Sequence, residues 1–247
     1  MTSVTESDPA RGGADRSEWA TVASPTLPTS NRFRLLAVPR DWAYETLLFA
    51  HRNAEVCPLL DVTEVGSART HLAPGADLRS ILRHYQVWCD GELVDQRSEV
   101  IELWHTDLVG FLFGCGQAVD NALADAGIPL RHREQQRALP TYRSAEPCRR
   151  AGRVNARLRV AMRPVPADLV RLVERVTTAL PDRPAPPIRS GDPQELGISR
   201  LDVPETGDPL IVEPDDIEVF WPDESTLVAA VLAARPPLVL LGCPQPD

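Results

Sequence analysis

The chain has 247 residues, 43% hydrophobic and 25% charged, which is enough for a buried core and is ordinary for a globular protein. Its formal net charge is −9, and this acidic balance excludes non-specific nucleic-acid binding, which needs a basic surface. All 26 basic residues are arginine, so a PLP aldimine, a lysine Schiff base (unless the N-terminal amine substitutes) and a phosphate loop ending in Gly-Lys are excluded.

Residues 1–28 are rich in Ser, Thr, Gly, Asp and Pro and read as a disordered or loosely docked tail. Phe33 to Pro39 reads as a short strand. A helix over 42–52 follows, with Asp41 as its cap and Trp42, Leu48 and Phe49 near one face. Leu59 to Val62 is a strand, and residues 77–82 form a turn or edge segment. Tyr85–Cys89, Asp90-Gly91 and Glu92–Asp95 make a hairpin, because Asp-Gly supplies the positive φ angles of a two-residue turn. Leu108 to Phe113 fits a strand or a helix start. Val119 to Ala126 reads as a helix stopped by Gly127. Leu158 to Pro164 alternates like a half-buried strand, and Ala167 to Leu180 has the period of an amphipathic helix with Asp168 in its first turn. Beyond a proline-dense connector (181–187) come a strand at Ile217–Trp221, a helix from Ser225 as N-cap to Ala234, and a last strand at Leu238–Leu241. The expected class is α/β: a layered α/β domain from 29–130 and 222–247, with a smaller α+β domain at 131–221 in the middle of the chain.

The five cysteines (Cys57, Cys89, Cys115, Cys148, Cys243) are odd in number, widely spaced and without a C-x-x-C pair. The five histidines are scattered. These patterns suit reduced thiols in a cytoplasmic protein without a metal. No signal-peptide pattern is read, and the longest apolar run, 236–242, is too short to span a bilayer, so no membrane partner is expected.

Several segments in order carry a family resemblance: Asn53–Val62, Tyr85–Leu93, Asp107–Cys115, Leu139–Ser144, Met162-Arg163-Pro164, Gly191-Asp192-Pro193, Gly207-Asp208 and Val219-Phe220-Trp221. Together the chain resembles the D-glutamate cyclase-like (hydro-lyase) family. The resemblance implies an α/β frame with a second mixed domain. It also implies closure of D-glutamate to 5-oxo-D-proline with loss of water and no organic cofactor. The chain departs from the family pattern in its polar positions. Gly114-Cys115 is followed by Gly116-Gln117, Asp120 takes the later acidic place, and Pro184 and Arg189 stand where the family has histidines.

Tyr142-Arg143-Ser144, read as a loop after Pro140, is the leading candidate for anion or oxyanion contact; the alternative for Arg143 is a surface salt bridge. Asp192 and Asp208 are candidate acids or bases, or turn aspartates bonding to local backbone. Asp192 is also a candidate to orient Arg143 or Arg189. Asp120 completes the catalytic candidates, or lies on a solvated helix face. Cys115, Gly116 and Gln117 form a candidate substrate loop, in which Cys115 reads as a buried small hydrophobe. Arg163, Arg189 and Trp221 are candidate pocket residues. The expected function is dehydration or ring closure of a small carboxylate-bearing or natural-product substrate. The alternatives are a cyclase that folds a long apolar substrate, or a non-catalytic binding protein, in which Arg143, Asp192 and Asp208 would not share a cavity. A homodimer is expected on base rates.

Overall fold

A computed structural model of the protein describes residues 33–114, 116–180 and 186–243, and for Gln117 the backbone alone. The tail read over 1–28, Cys115 and residues 181–185 of the proline-dense connector lie outside the described residues.

Strand β1 (Phe33–Pro39) runs directly into helix α1 (Arg40–Arg52). Trp42, Thr46, Phe49 and Ala50 are its buried stripe, at the i, i+4, i+7 spacing of one helix face. Asp41 is not the cap. Pro39 holds that place without a side-chain bond, and Asp41 sits in the first turn, where its charge favours the helix dipole. Next come β2 (Leu59–Val62) and the hairpin of β3 (His84–Cys89) and β4 (Glu92–Arg97). Asp90 and Gly91 have φ of 50° and 82°, both in the left-handed region this turn demands. Leu108–Gly114 settles as a strand, β5.

These strands join β10 (Val239–Cys243) in a six-stranded antiparallel sheet of order β2-β5-β1-β10-β3-β4. The middle strands read as unbroken apolar runs because both faces are covered. Leu36 and Val38 pack with Trp42 and Phe49 of α1 and with Leu227 and Val231. Phe33, Leu35 and Ala37 face Leu78, Leu82, Tyr85 and Trp104. The Tyr85 hydroxyl donates to Leu78 O at 2.8 Å and accepts from Leu82 N–H at 3.1 Å, tying the 78–82 segment to the sheet.

Helices α2 (Gln117–Asp125) and α3 (Arg131–Glu134) lead to the second sheet. Its strands are β6 (Thr141–Pro147), β7 (Arg157–Pro166), β8 (Arg189–Ser190) and β9 (Asp216–Pro222), antiparallel in the order β6-β7-β9-β8. The Tyr142-Arg143-Ser144 segment is therefore strand, not loop: the ladder to β7 supplies partners that a local reading cannot see. The predicted 167–180 helix opens with a 3-10 turn at Ala167–Leu169 and continues as α4 (Val170–Thr178). One face of this sheet packs Val165, Val219 and Trp221 against Val119 and Leu123 of α2 and Val173 of α4. The other packs Val160, Met162 and Phe220 against Leu196 and Ile198.

Helix α5 (Ser225–Ala233) follows β9 directly. Ser225 is its first residue rather than its cap, and its N–H donates to Asp223 Oδ1 at 2.9 Å. Thr226 Oγ1 accepts from Arg159 N–H on β7 at 3.0 Å, so α5 links the two sheets. The class is the expected one, α/β, with helices layered on two antiparallel sheets. Among the described residues no helix is long and apolar enough to cross a membrane.

Candidate active site

Where α2, β7, β9 and the start of α5 meet, the chain buries Asp120, Arg163 and Glu224. Arg163 lies on β7, on the sheet face it shares with Ala161, which pairs with Trp221. The Arg163 side chain is 4% exposed, and its guanidinium carbon stands 5.1 Å over the Trp221 ring. Its Nε donates to Oδ1 of Asp120 at 2.7 Å. The other oxygen of Asp120, Oδ2, lies 3.1 Å from His132 Nε2 on α3 and 3.8 Å from Arg133 Nη2. Burial by itself would raise the Asp120 pKa. The charge of Arg163 and the hydrogen bond from His132 outweigh it and hold the carboxyl well below the usual carboxylate range. Among the described residues Arg163 Nη2 is buried with no hydrogen-bond partner, as are Trp221 Nε1 and His132 Nδ1.

Glu224 closes the other side. It precedes α5, and its Oε2 accepts from Gly116 N–H at 3.2 Å. Its Oε1 is 3.1 Å from Arg34 Nε, a β1 residue whose Nη1 also donates to Cys243 Sγ. Burial pushes the Glu224 carboxyl above its ordinary value. The nearby Asp223 carboxylate adds to the rise, and Arg34 offsets only part of it. A Cβ placed on Gly116 would lie 3.6 Å from Glu224 Oε2 and 3.9 Å from Arg163 Nη2. The glycine thus borders both the acid and the guanidinium, and a larger side chain would fill the gap between them. The cavity between them is narrow, with room for about one water molecule.

A buried donor with no partner costs about 1–3 kcal/mol, and more when charged, so Arg163 Nη2 marks a place built for an acceptor. An acid shifted towards its protonated form stands across from it. Such a pair can hold a carboxylate and deliver a proton.

The family model for D-glutamate cyclase matches residues 109–245. A Streptomyces coelicolor protein carrying the name "Putative hydro-lyase" is 50% identical over 85% of this chain and 76% of its own length. A similarly named Rhodococcus opacus protein is 44% identical over 94% of this chain and 88% of its own. The chain belongs to the D-glutamate cyclase family. A nitrogen repressor-like protein from Methanococcus jannaschii superposes over 89% of this chain and 91% of its own at 9% identity, with a TM-score of 0.41, too loosely to inform the site.

In this cyclase-family chain the candidate residues fall into separate places. Gly116, Arg163 and Trp221 line the buried cavity, and Asp120 stands behind Arg163, bonded to its Nε without lining the cavity itself. Tyr142 and Arg143 line a different, open and much roomier groove with Arg200 and Glu205. Arg143 is exposed there, and solvent screens its charge to roughly 1 kcal/mol per partner at 4 Å. The buried Tyr142 hydroxyl donates to Leu201 O at 2.8 Å, and burial pushes its pKa up to about 12. Ser144 Oγ donates to Leu158 O at 2.9 Å. Asp192 Oδ1 accepts from Gln194 N–H at 2.8 Å, capping the 3-10 turn Pro193–Leu196. Asp208 Oδ2 accepts from Ala138 N–H at 2.8 Å. Neither aspartate lines the Arg143 groove or the buried cavity. Arg189 pairs with Glu195 rather than with Asp192. Cys115 is outside the described residues, and Gln117 contributes its backbone to α2.

Glu224, His132 and Arg34 were not legible as site residues. Asp223-Glu224-Ser225 reads as a helix start, where acids normally serve the dipole in water. His132 sits in Arg-His-Arg-Glu, a fully polar four-residue helix with no apolar period to reveal its buried side. One signal was available for Glu224: it lies three residues after Trp221, the end of a motif that carried the resemblance.

Proposed function

We propose that this protein removes water from, or closes a ring in, a small carboxylate-bearing substrate at the Arg163–Glu224 cavity. Arg163 Nη2 grips a carboxylate or the developing oxyanion. Glu224 supplies the proton that turns the departing oxygen into water. For glutamate the steps balance as follows. The uncharged amine nitrogen bonds to the carbon of the protonated side-chain carboxyl, and the C–OH bond of that carboxyl breaks. Glu224 gives its proton to the leaving hydroxyl and takes one back from the nitrogen, so the acid is regenerated. Oriented donors in a dry site stabilise the tetrahedral oxygen with little reorganisation.

The observation that carries this reading is the unpartnered Nη2 of a buried arginine, across a glycine gap from an acid shifted towards its protonated form. The test is incubation of the purified chain with D- and L-glutamate, following 5-oxoproline by chiral chromatography. Turnover that disappears in both Arg163→Gln and Glu224→Gln supports the reading. No turnover by folded protein removes glutamate as the substrate, and turnover that survives Glu224→Gln removes the acid's role.

A further inference from the structure

The Asp120–Arg163 pair is unusual in how little of it is used. Nε–H and one Nη2–H of a guanidinium lie along the same edge, at a spacing that matches the two oxygens of a carboxylate, so such pairs are frequently bidentate. Here only Nε is engaged, at 2.7 Å from Oδ1. Nη2 stays buried and without a partner although Asp120 is beside it. What occupies the second carboxylate oxygen is His132, whose Nε2 lies 3.1 Å from Oδ2. Arg133 Nη2, 3.8 Å away on the half-exposed side, adds a weaker pull on the same oxygen. His132 is itself buried on α3, and its other ring nitrogen has no partner, so Asp120 is the acceptor that fixes the ring.

We propose that His132 is a positioning residue: by donating to Oδ2 of Asp120 it limits Asp120 to a single bond on Arg163 Nε and keeps Nη2 unpaired for a substrate carboxylate. This rests on the reading of Arg163 as the anion-holding group. Without the histidine, a small rotation of the Asp120 carboxyl closes the second bond to Nη2. The site then keeps its charge pair but loses its open donor.

The test compares His132→Leu, which removes the donor at similar bulk, with His132→Gln, which keeps a donor. Glutarate, a dicarboxylate with no amine to react, is the probe, titrated by calorimetry. One charge-assisted hydrogen bond corresponds to roughly a tenfold loss of affinity or more, so His132→Leu should bind glutarate at least about tenfold more weakly. His132→Gln should bind nearly as the natural chain does. With a turned-over substrate, His132→Leu should raise KM more than it lowers kcat. A crystal structure of His132→Leu should show Asp120 Oδ2 bonded to Arg163 Nη2. Equal glutarate binding in all three proteins, equal losses in both variants, or no binding by the natural chain overturns the proposal. Should His132→Leu not fold, nitrogen NMR of Arg163 in the natural chain decides: rotation of Nη2 should be free before glutarate and slowed after it. An Nη2 already held before glutarate overturns the idea. Glutarate binding is read without turnover. A chain that binds it in a His132-dependent way but forms no 5-oxoproline upholds this inference while refuting the catalytic reading.

Discussion

Replacing Asp120 by alanine should be among the most damaging single changes in the protein. Asp120 is 7% exposed, accepts a hydrogen bond from Arg163 Nε at 2.7 Å, and lies 3.1 Å from His132 Nε2. Its loss strands a guanidinium whose side chain is 4% exposed. It also leaves both nitrogens of a buried imidazole without partners, since Nδ1 already has none. Breaking a buried pair by removing one partner costs about 3–5 kcal/mol, because the remaining charge has no compensation. The Trp221 ring beneath the guanidinium recovers only about 1–2 kcal/mol of that. Urea unfolding should therefore show a loss of about 3 kcal/mol or more in Asp120→Ala at unchanged m. The double variant Asp120→Leu with Arg163→Met, which removes both charges, should recover most of it. A loss below about 1 kcal/mol would mean that water reaches Arg163 freely, and the buried site would then not exist as described.

Glu224 is raised above its ordinary value, so as a proton donor it works below that raised pKa. kcat/KM should hold at low pH and fall as pH rises through it. In Glu224→Gln turnover should drop by about 10²–10⁴. A pH profile with no alkaline limb counts against the acid role. Asp120 runs the other way in stability: its lowered pKa contributes fully above the unfolded value of 3.8 and is lost as pH falls through the folded value, so acid unfolding should be blunted in Asp120→Asn relative to its own neutral-pH stability. Gly207 has φ +79° and its added Cβ would run into the Leu139 carbonyl, so Gly207→Ala should cost at least about 1 kcal/mol in urea unfolding, whatever Asp208 does. Tyr85→Phe leaves Leu78 O and Leu82 N–H without their partner in a fully buried place and should cost about 1–3 kcal/mol; a neutral result would mean that water replaces the hydroxyl.

The sequence made the local elements of the fold readable where one residue type has one use. Asp90-Gly91 could only be a tight turn, and β1, β7 and β9 announced themselves by apolar runs or alternation. Strand β6 could not be read, because Thr-Tyr-Arg-Ser carries no period and becomes a strand only through its ladder to β7. The site was half legible for a related reason. Arg163 and Trp221 stood in motifs, and Asp120 was visible as a carboxylate in an altered stretch. Their common destination depends on the β7–β9 register and on α2 lying across it, which are distant pairings. For Asp192 and Asp208 the sequence left acid–base and backbone-bonding roles both open; each carboxylate accepts a backbone N–H, Asp192 within its own turn and Asp208 from the distant Ala138.

Strand β10 lies in the interior of the larger sheet, between β1 and β3, although it is the last strand described in the chain. Until residues 239–243 have left the ribosome, β2-β5-β1 and the β3-β4 hairpin are two fragments with facing bare edges. The larger sheet must therefore close only once β10 has been made, over separations of about 150–200 residues from β3 and β1, which slows folding and exposes apolar edges to other chains. Glu224 and Arg34 meet beside that seam. Glu224 therefore acquires its buried environment only when the sheet is finished, and a chain stopped before β10 would carry half of that cavity and an adhesive edge.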